Sequence, residues 1–218
     1  MNHQIENILL VRHAQSTANH DPSVYRTTPD HVIPLSRPED DPAGVIAGDA
    51  IASMGLDPSL VCSWCSTYLR CAQTERLVLA CAFGAGVDLV RQRPSFLLRE
   101  QEFGDWDCLT EEEIAAADPA RFARRQHLTD NFGRFYFRYP NGESRADVTQ
   151  RISIFIGKLH RSQYAHHVIF LHGVTQRAFR MAWLNLSVDW FEEEPNPPNG
   201  SVLLIRRGAD RRWTERYL

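Results

Sequence analysis

The chain has 218 residues, 43% hydrophobic and 23% charged, with a net charge of −3, the balance of an ordinary globular protein. That charge excludes a general pull toward nucleic acid or anionic membrane, and no stretch approaches the ~20 apolar residues that span a bilayer. Any anion site must therefore be built locally.

In chain order, the first predicted element is a strand over Ile5–Val11, ending in Arg12-His13. Bare apolar runs of this kind read as central strands of a parallel sheet covered on both faces. From Gln15 to Asp41 the chain is polar with scattered prolines and reads as a long loop with little regular structure. A helix is predicted over Ala43–Met54, stopped by Gly55, and a short strand over Leu60–Cys62. Ser66 offers an N-cap to a helix running to about Cys81, with Leu69, Ala72, Leu77 and Ala80 on one face. Val87–Val90 is a further strand candidate. Thr110 followed by three glutamates has the form of a capped helix start.

A long helix follows Ser144, with Val148, Ile152, Phe155, Ile156 and Leu159 at helical spacing. A second bare apolar run, Val168–Leu171, ends in His172-Gly173 and feeds a helix over Val174–Leu184. Val202–Ile205 and Trp213–Tyr217 read as a terminal hairpin. Strands alternating with helices predict a three-layer α/β/α sandwich around a mostly parallel central sheet. The size and the absence of a linker predict one domain over residues 1–218.

Two apolar strands each deliver a histidine to the carboxyl edge of the sheet, where open α/β sheets bind ligands. A neutral imidazole is a competent nucleophile toward phosphorus, and a neighbouring guanidinium can grip two phosphoryl oxygens. With Ser66 as cap, Arg70 falls in the first helical turn and adds its charge to the positive end of the helix dipole. Glycine at 173 permits close backbone approach to a ligand. Taken singly, each is more often a buried histidine or a surface arginine; taken together they point to a phosphoryl site.

Five segments carry a resemblance. LVRHAQSTAN, STYLRCAQTE, LLREQEFGDW, PNGES and VIFLHGVTQRAF are similar, in order from Leu10 to Phe179, to signature segments of the histidine phosphatase superfamily, branch 1, also called phosphoglycerate mutase-like. REQEFG, GRFYFRYPNGES and NPPNGS resemble in particular a plant and fungal-type subgroup. The resemblance implies the phosphoglycerate mutase-like form of the sandwich. It implies His13 as the nucleophile that becomes phosphohistidine, with Arg12, Arg70 and His172 holding the transferring phosphoryl group. Asn19 and Gly173 would complete the substrate pocket, and Glu100 would serve as general acid and base. Glu102, two residues on, is the alternative acid. Residues 100–142 would contribute a cap over the site.

The implied activity is hydrolysis of small phosphate monoesters without metal or other cofactor. The alternatives are a phosphoglycerate mutase-type isomerase and a non-catalytic phospho-ligand-binding protein of the same fold. Lys158 is the only lysine, so the lysine-rich insertion of cofactor-dependent mutases is absent and phosphatase is favoured. Ala14, Thr67, Cys71, Leu171 and Asp107 depart from the family pattern, and none removes a group the reaction requires.

The remaining features read as structure. Cys62 and Cys65 have the spacing of a metal or redox pair, but no second pair follows, and all five cysteines are expected as reduced thiols. His166-His167 is expected as the solvated start of a strand. Arg121–Tyr139 interleaves arginines with aromatics, a pattern that can bind nucleic acid; the acidic balance and the implied cap argue against it. No nucleic-acid or membrane partner is expected. The amino terminus has neither a basic region nor a cleavage motif, so a cytoplasmic location is expected.

Overall fold

The computed structural model describes residues 4–36 and 42–218. Its elements in chain order are β1 (Asn7–Arg12), α1 (Thr17–His20), α2 (Ala43–Ala52), β2 (Val61–Cys65), α3 (Leu69–Phe83) and β3 (Arg91–Pro94). There follow α4 (Glu111–Ala117), α5 (Pro119–Phe132), α6 (Arg145–His160), β4 (His166–Leu171), α7 (Gly173–Leu184), α8 (Val188–Glu193), β5 (Val202–Arg207) and β6 (Trp213–Tyr217). The strands form a six-stranded sheet in the order β3-β2-β4-β1-β5-β6. The first four are mutually parallel, and β5 and β6 run antiparallel. The mostly parallel sandwich expected from the sequence is the fold observed.

Because side chains alternate along a strand, β1 and β4 feed two cores. Leu9, Val11, Val168 and Phe170 pack with Ala47 and Ile51 of α2 and Val78 and Leu79 of α3. Ile8, Leu10, Ile169 and Leu171 face the other way, against Val148, Ile152, Phe155 and Leu159 of α6 and Phe179 of α7. The two bare apolar runs are thus the two central strands. β1 continues through α2 on one face and β4 through α7 on the other, so the chain diverges between them. That divergence is a topological switch point.

Several local expectations need correction. The loop after β1 contains α1 and two single-turn 3₁₀ segments, Pro22–Arg26 and Asp30–Val32; its last five positions, 37–41, lie outside the described residues. Val87–Val90 is not a strand. A 3₁₀ segment covers Gly84–Leu89, and β3 is the polar, exposed Arg91–Pro94, because an edge strand has no face to bury. Ser66 does not cap α3; Tyr68 holds that position, without a side-chain cap.

His166 and His167 are buried rather than solvated. β4 starts before its apolar run, so both lie inside the sheet and take partners there: Asn7 Nδ2 at 3.0 Å from His166 Nδ1, and Trp64 Nε1 donating to His167 Nδ1 at 3.2 Å. The five cysteines are free, three of them buried. Among the described residues no helix is long and apolar enough to cross a membrane.

Candidate active site

Parallel pairing sets Arg12 opposite Leu171. The next residue on each strand is therefore a histidine, and the His13 amide donates to the Leu171 carbonyl at 3.0 Å. The two imidazole rings lie 5.2 Å apart between centroids. Residues 159 positions apart in the chain become neighbours because two central strands share one register.

His13 is held through Nδ1, 2.7 Å from the Ala14 carbonyl. A carbonyl only accepts, so Nδ1 carries the proton and Nε2 keeps a free lone pair. Asn199 Nδ2 is 3.4 Å from the same Nδ1; its better contact is the donation to the His13 carbonyl at 3.1 Å. Burial, followed by the charge of Arg70, lowers the His13 pKa to about 3. The ring is neutral at physiological pH, as a nucleophile must be.

His172 is wholly buried, and its pKa falls well below the usual value, first through burial and then through Arg70 and His13. Its Nε2 sits 2.9 Å from Ser66 Oγ and 3.4 Å from Cys71 Sγ. Ser66 Oγ also accepts from the Tyr68 amide at 3.4 Å. His172 Nδ1 is buried without a hydrogen-bond partner. A buried polar atom left unsatisfied costs ~1–3 kcal/mol, so this nitrogen is a place where a ligand contact would gain. The Tyr68 ring meets His172 edge-on at 5.0 Å, and the Arg70 guanidinium lies 5.1 Å from the Tyr68 ring.

Arg70 stands second in α3, near its amino end. Both its terminal nitrogens are engaged by Asp30, at 2.7 Å to Oδ1, 3.3 Å to Oδ2 and 2.7 Å to the carbonyl. Burial opposes the charge on Arg70, but the hydrogen bond and attraction from Asp30 outweigh it and raise its pKa. Arg12 is anchored by the Pro197 carbonyl, and burial lowers its pKa. Asn19 Oδ1 is committed to Ser16, accepting from its amide and hydroxyl at 2.9 Å each.

Glu100 is gripped by the start of α7. The amides of Val174 and Thr175 and the Thr175 hydroxyl donate to it at 3.2, 3.3 and 3.1 Å. An anion at a helix amino end meets both free donors and the dipole. Its backbone is fixed from behind: buried Arg151 donates to the Glu100 and Leu97 carbonyls and to both oxygens of Glu143. The PNGES segment therefore serves to brace the acid. Glu102 is turned elsewhere, accepting from the Tyr68 hydroxyl at 3.3 Å and Arg99 Nε at 3.2 Å.

Arg12, His13, Asn19, Arg70 and Glu100 line one cleft of about 660 Å³, with His172 buried behind His13. Tyr25, Phe103, Trp106 and Tyr139 line the same cleft. Gly173 does not open onto it: a Cβ there would come within 2.8 Å of Asn196, whose side chain fills that space.

Asp30, Tyr25, Ser66, Asn196 and Asn199 were not anticipated. The NPPNGS segment was the one sequence signal for the two asparagines; Asp30 and Tyr25 carried none, since they come from a loop whose path the sequence leaves open. A separate cleft of about 730 Å³ at the sheet edge, lined by Arg91, Arg93, Lys158 and Arg161, contains none of these groups.

A family model for the histidine phosphatase superfamily (branch 1) matches residues 8–217. The chain is 34% identical over 216 residues to phosphoglycerate mutase-like protein AT74 of Arabidopsis thaliana, covering 92% of this chain and 65% of that protein. It thus spans just under two thirds of that relative's length. Identity to AT74H of the same plant is 30% over 228 residues, covering 95% and 76%. Broad-range acid phosphatase DET1 of Saccharomyces cerevisiae is 32% identical over 116 residues, covering 50% and 32%. Among solved structures, mycobacterial glucosyl-3-phosphoglycerate phosphatase in complex with VO3 matches at a TM-score of 0.69 and 26% identity, over 97% of each chain. Bacillus stearothermophilus YhfR, at 0.70 and 21% identity over 95% and 94% of the chains, shares the fold.

Proposed function

Because the chain belongs to the histidine phosphatase superfamily, branch 1, we propose that it hydrolyses small phosphate monoesters through a phosphohistidine on His13. The observation that carries this reading is the neutral His13 ring, its Nε2 free, set 5.2 Å from His172 in a cleft that two arginines line.

Phosphoryl transfer asks little of a protein beyond an in-line nucleophile, positioning and neutralisation of charge. His13 Nε2 attacks phosphorus as the bond to the ester oxygen breaks, and Glu100 in its protonated form gives that oxygen its proton. Arg12, Arg70 and His172 hold the phosphoryl oxygens. In the second step the Glu100 carboxylate takes a proton from water, the water oxygen attacks phosphorus, and the P–N bond breaks to restore His13. Proton transfer of this kind is worth ~10²–10⁴-fold. Glu100 is favoured over Glu102 because it lines the cleft, while Glu102 is tied to Tyr68 and Arg99.

Asp30 fits this scheme as the group that orients Arg70 until substrate arrives. Residues 100–142 act as the cap in this reading, since Phe103, Trp106 and Tyr139 wall the cleft. A cytoplasmic location belongs to the same proposal.

The test is His13→Ala. Hydrolysis of p-nitrophenyl phosphate should fall to background while the circular dichroism spectrum is retained, and acid-labile phosphate should be trapped on the wild-type chain alone. Undiminished turnover in the variant refutes the proposal.

A further inference from the structure

Beyond the phosphoryl cradle, the cleft carries a charge pattern of its own. Its two outer cations are already spoken for. Arg26 makes a two-pronged pair with Glu113, at 3.0 and 2.8 Å, and Arg125 pairs with Glu111 at 2.6 Å. Asp107 also lines the cleft, and its pKa is raised, chiefly by partial burial and next by the charge of Asp30. Among the described residues, Asp107 is thus a cleft carboxylate with no cation on it, although the cleft also holds the anion site. The walls of the cleft's outer chamber are rings: Tyr25, Phe103, Trp106 and Tyr139.

Two contacts join opposite segments of the cleft lining. The Arg26–Glu113 pair joins the loop after β1 to α4, and Cys108 Sγ donates to the Tyr25 carbonyl at 2.9 Å.

From this geometry we infer that the outer chamber selects a leaving group bearing an uncharged ring and discriminates against one bearing a second phosphate or carboxylate. The inference rests on the phosphomonoesterase reading and names its substrate class. Aromatic side chains supply flat apolar area for a ring. A second anion would meet carboxylates, and to reach Arg26 or Arg125 it would have to displace Glu113 or Glu111, which would then remain beside it. Like-charge contact of this kind is how a site rejects wrong partners. It also weighs against a bisphosphate-dependent mutase, whose ligand carries anions at both ends.

The test compares two non-hydrolysable ligands, benzylphosphonate and 4-carboxybenzylphosphonate, by titration calorimetry on the full chain. They differ by one negative charge at the far end of the ring. The wild type should bind the neutral-ring ligand more tightly by roughly tenfold, the scale of one like charge about 6 Å away in a half-solvated site with a dielectric of about 40. Asp107→Asn and Glu111→Gln, the second freeing Arg125, should each narrow that ratio several-fold. Equal affinities, failure of both ligands to bind, or a ratio that neither variant moves overturns the inference. The readout is binding, so it stands apart from the turnover test: a chain that bound selectively but released no phosphate from p-nitrophenyl phosphate would sink the phosphatase reading and leave the chamber assignment intact.

Discussion

Lowering the pH from 7 to 5 should destabilise this protein through its buried neutral histidines. His13 is depressed to about 3 and His167 to about 4, each chiefly by burial, and His172 is carried well below its usual value by the same cause. Between those values and the ordinary 6.5, the unfolded chain binds protons that the folded chain refuses. Stability is then full above about pH 6.5 and falls as the pH drops. Each group costs about 1.4 kcal/mol per pH unit inside the window. At pH 5, some 1.5 units below the unfolded value, that is about 2 kcal/mol per histidine, or about 6 kcal/mol for the three. Domains are stable by only ~5–15 kcal/mol, so the loss is a large share of the whole.

The assay is urea unfolding followed by tryptophan fluorescence at pH 7, 6 and 5. His167→Gln serves as the control, because it keeps an acceptor for Trp64 and lies outside the cleft. Between pH 6 and 5 the three histidines should together take up nearly three protons on unfolding, with His166, also lowered by burial, adding to the slope, and the variant should take up about one fewer. A flat profile, or an unchanged slope in His167→Gln, would refute the reasoning.

Three further outcomes are expected. Glu100→Gln should lower kcat for p-nitrophenyl phosphate by at least ~10²-fold, while Glu102→Gln changes it by less than tenfold; steady-state kinetics on the two purified variants decides between them. Arg151→Met should cost ~1–3 kcal/mol in urea unfolding, because it takes one of two arginine partners from the half-buried Glu143 and leaves the Leu97 and Glu100 carbonyls without a donor. Gly48→Ala should cost ~1–3 kcal/mol by the same measurement, since its new Cβ would come 2.4 Å from Cys81 Cβ and 3.1 Å from the Val78 carbonyl, prying α2 from α3.

The elements with a strong pattern were legible. Val148, Ile152, Phe155 and Leu159 mark one face of α6, and Ser144 with Asp147 forms the capping box that starts it. The apolar runs of β1 and β4 declared themselves central because only a strand covered on both faces can be apolar at every position. β3 and α5 were missed for the converse reason. An exposed edge strand reading Arg-Gln-Arg-Pro and a helix with no buried residue leave no periodic apolar mark. His166 and His167 were misjudged because burial of a polar side chain depends on partners, here Asn7 and Trp64, that lie far away in the chain.

What the sequence by itself determined is the chemistry at hand: two strand-end histidines, an arginine beside one of them, another at a helix start, and an acid in a third segment. Local patterning decides which residues are buried and which end an element, so these groups could be read one segment at a time. Only the tertiary structure decided that β1 pairs with β4 in the register that makes the histidines neighbours, that Glu100 rests on the amino end of α7, and that Asp30 occupies Arg70. Those outcomes depend on strand order and on loop paths, and both are set by packing over the whole chain rather than by any single stretch of it.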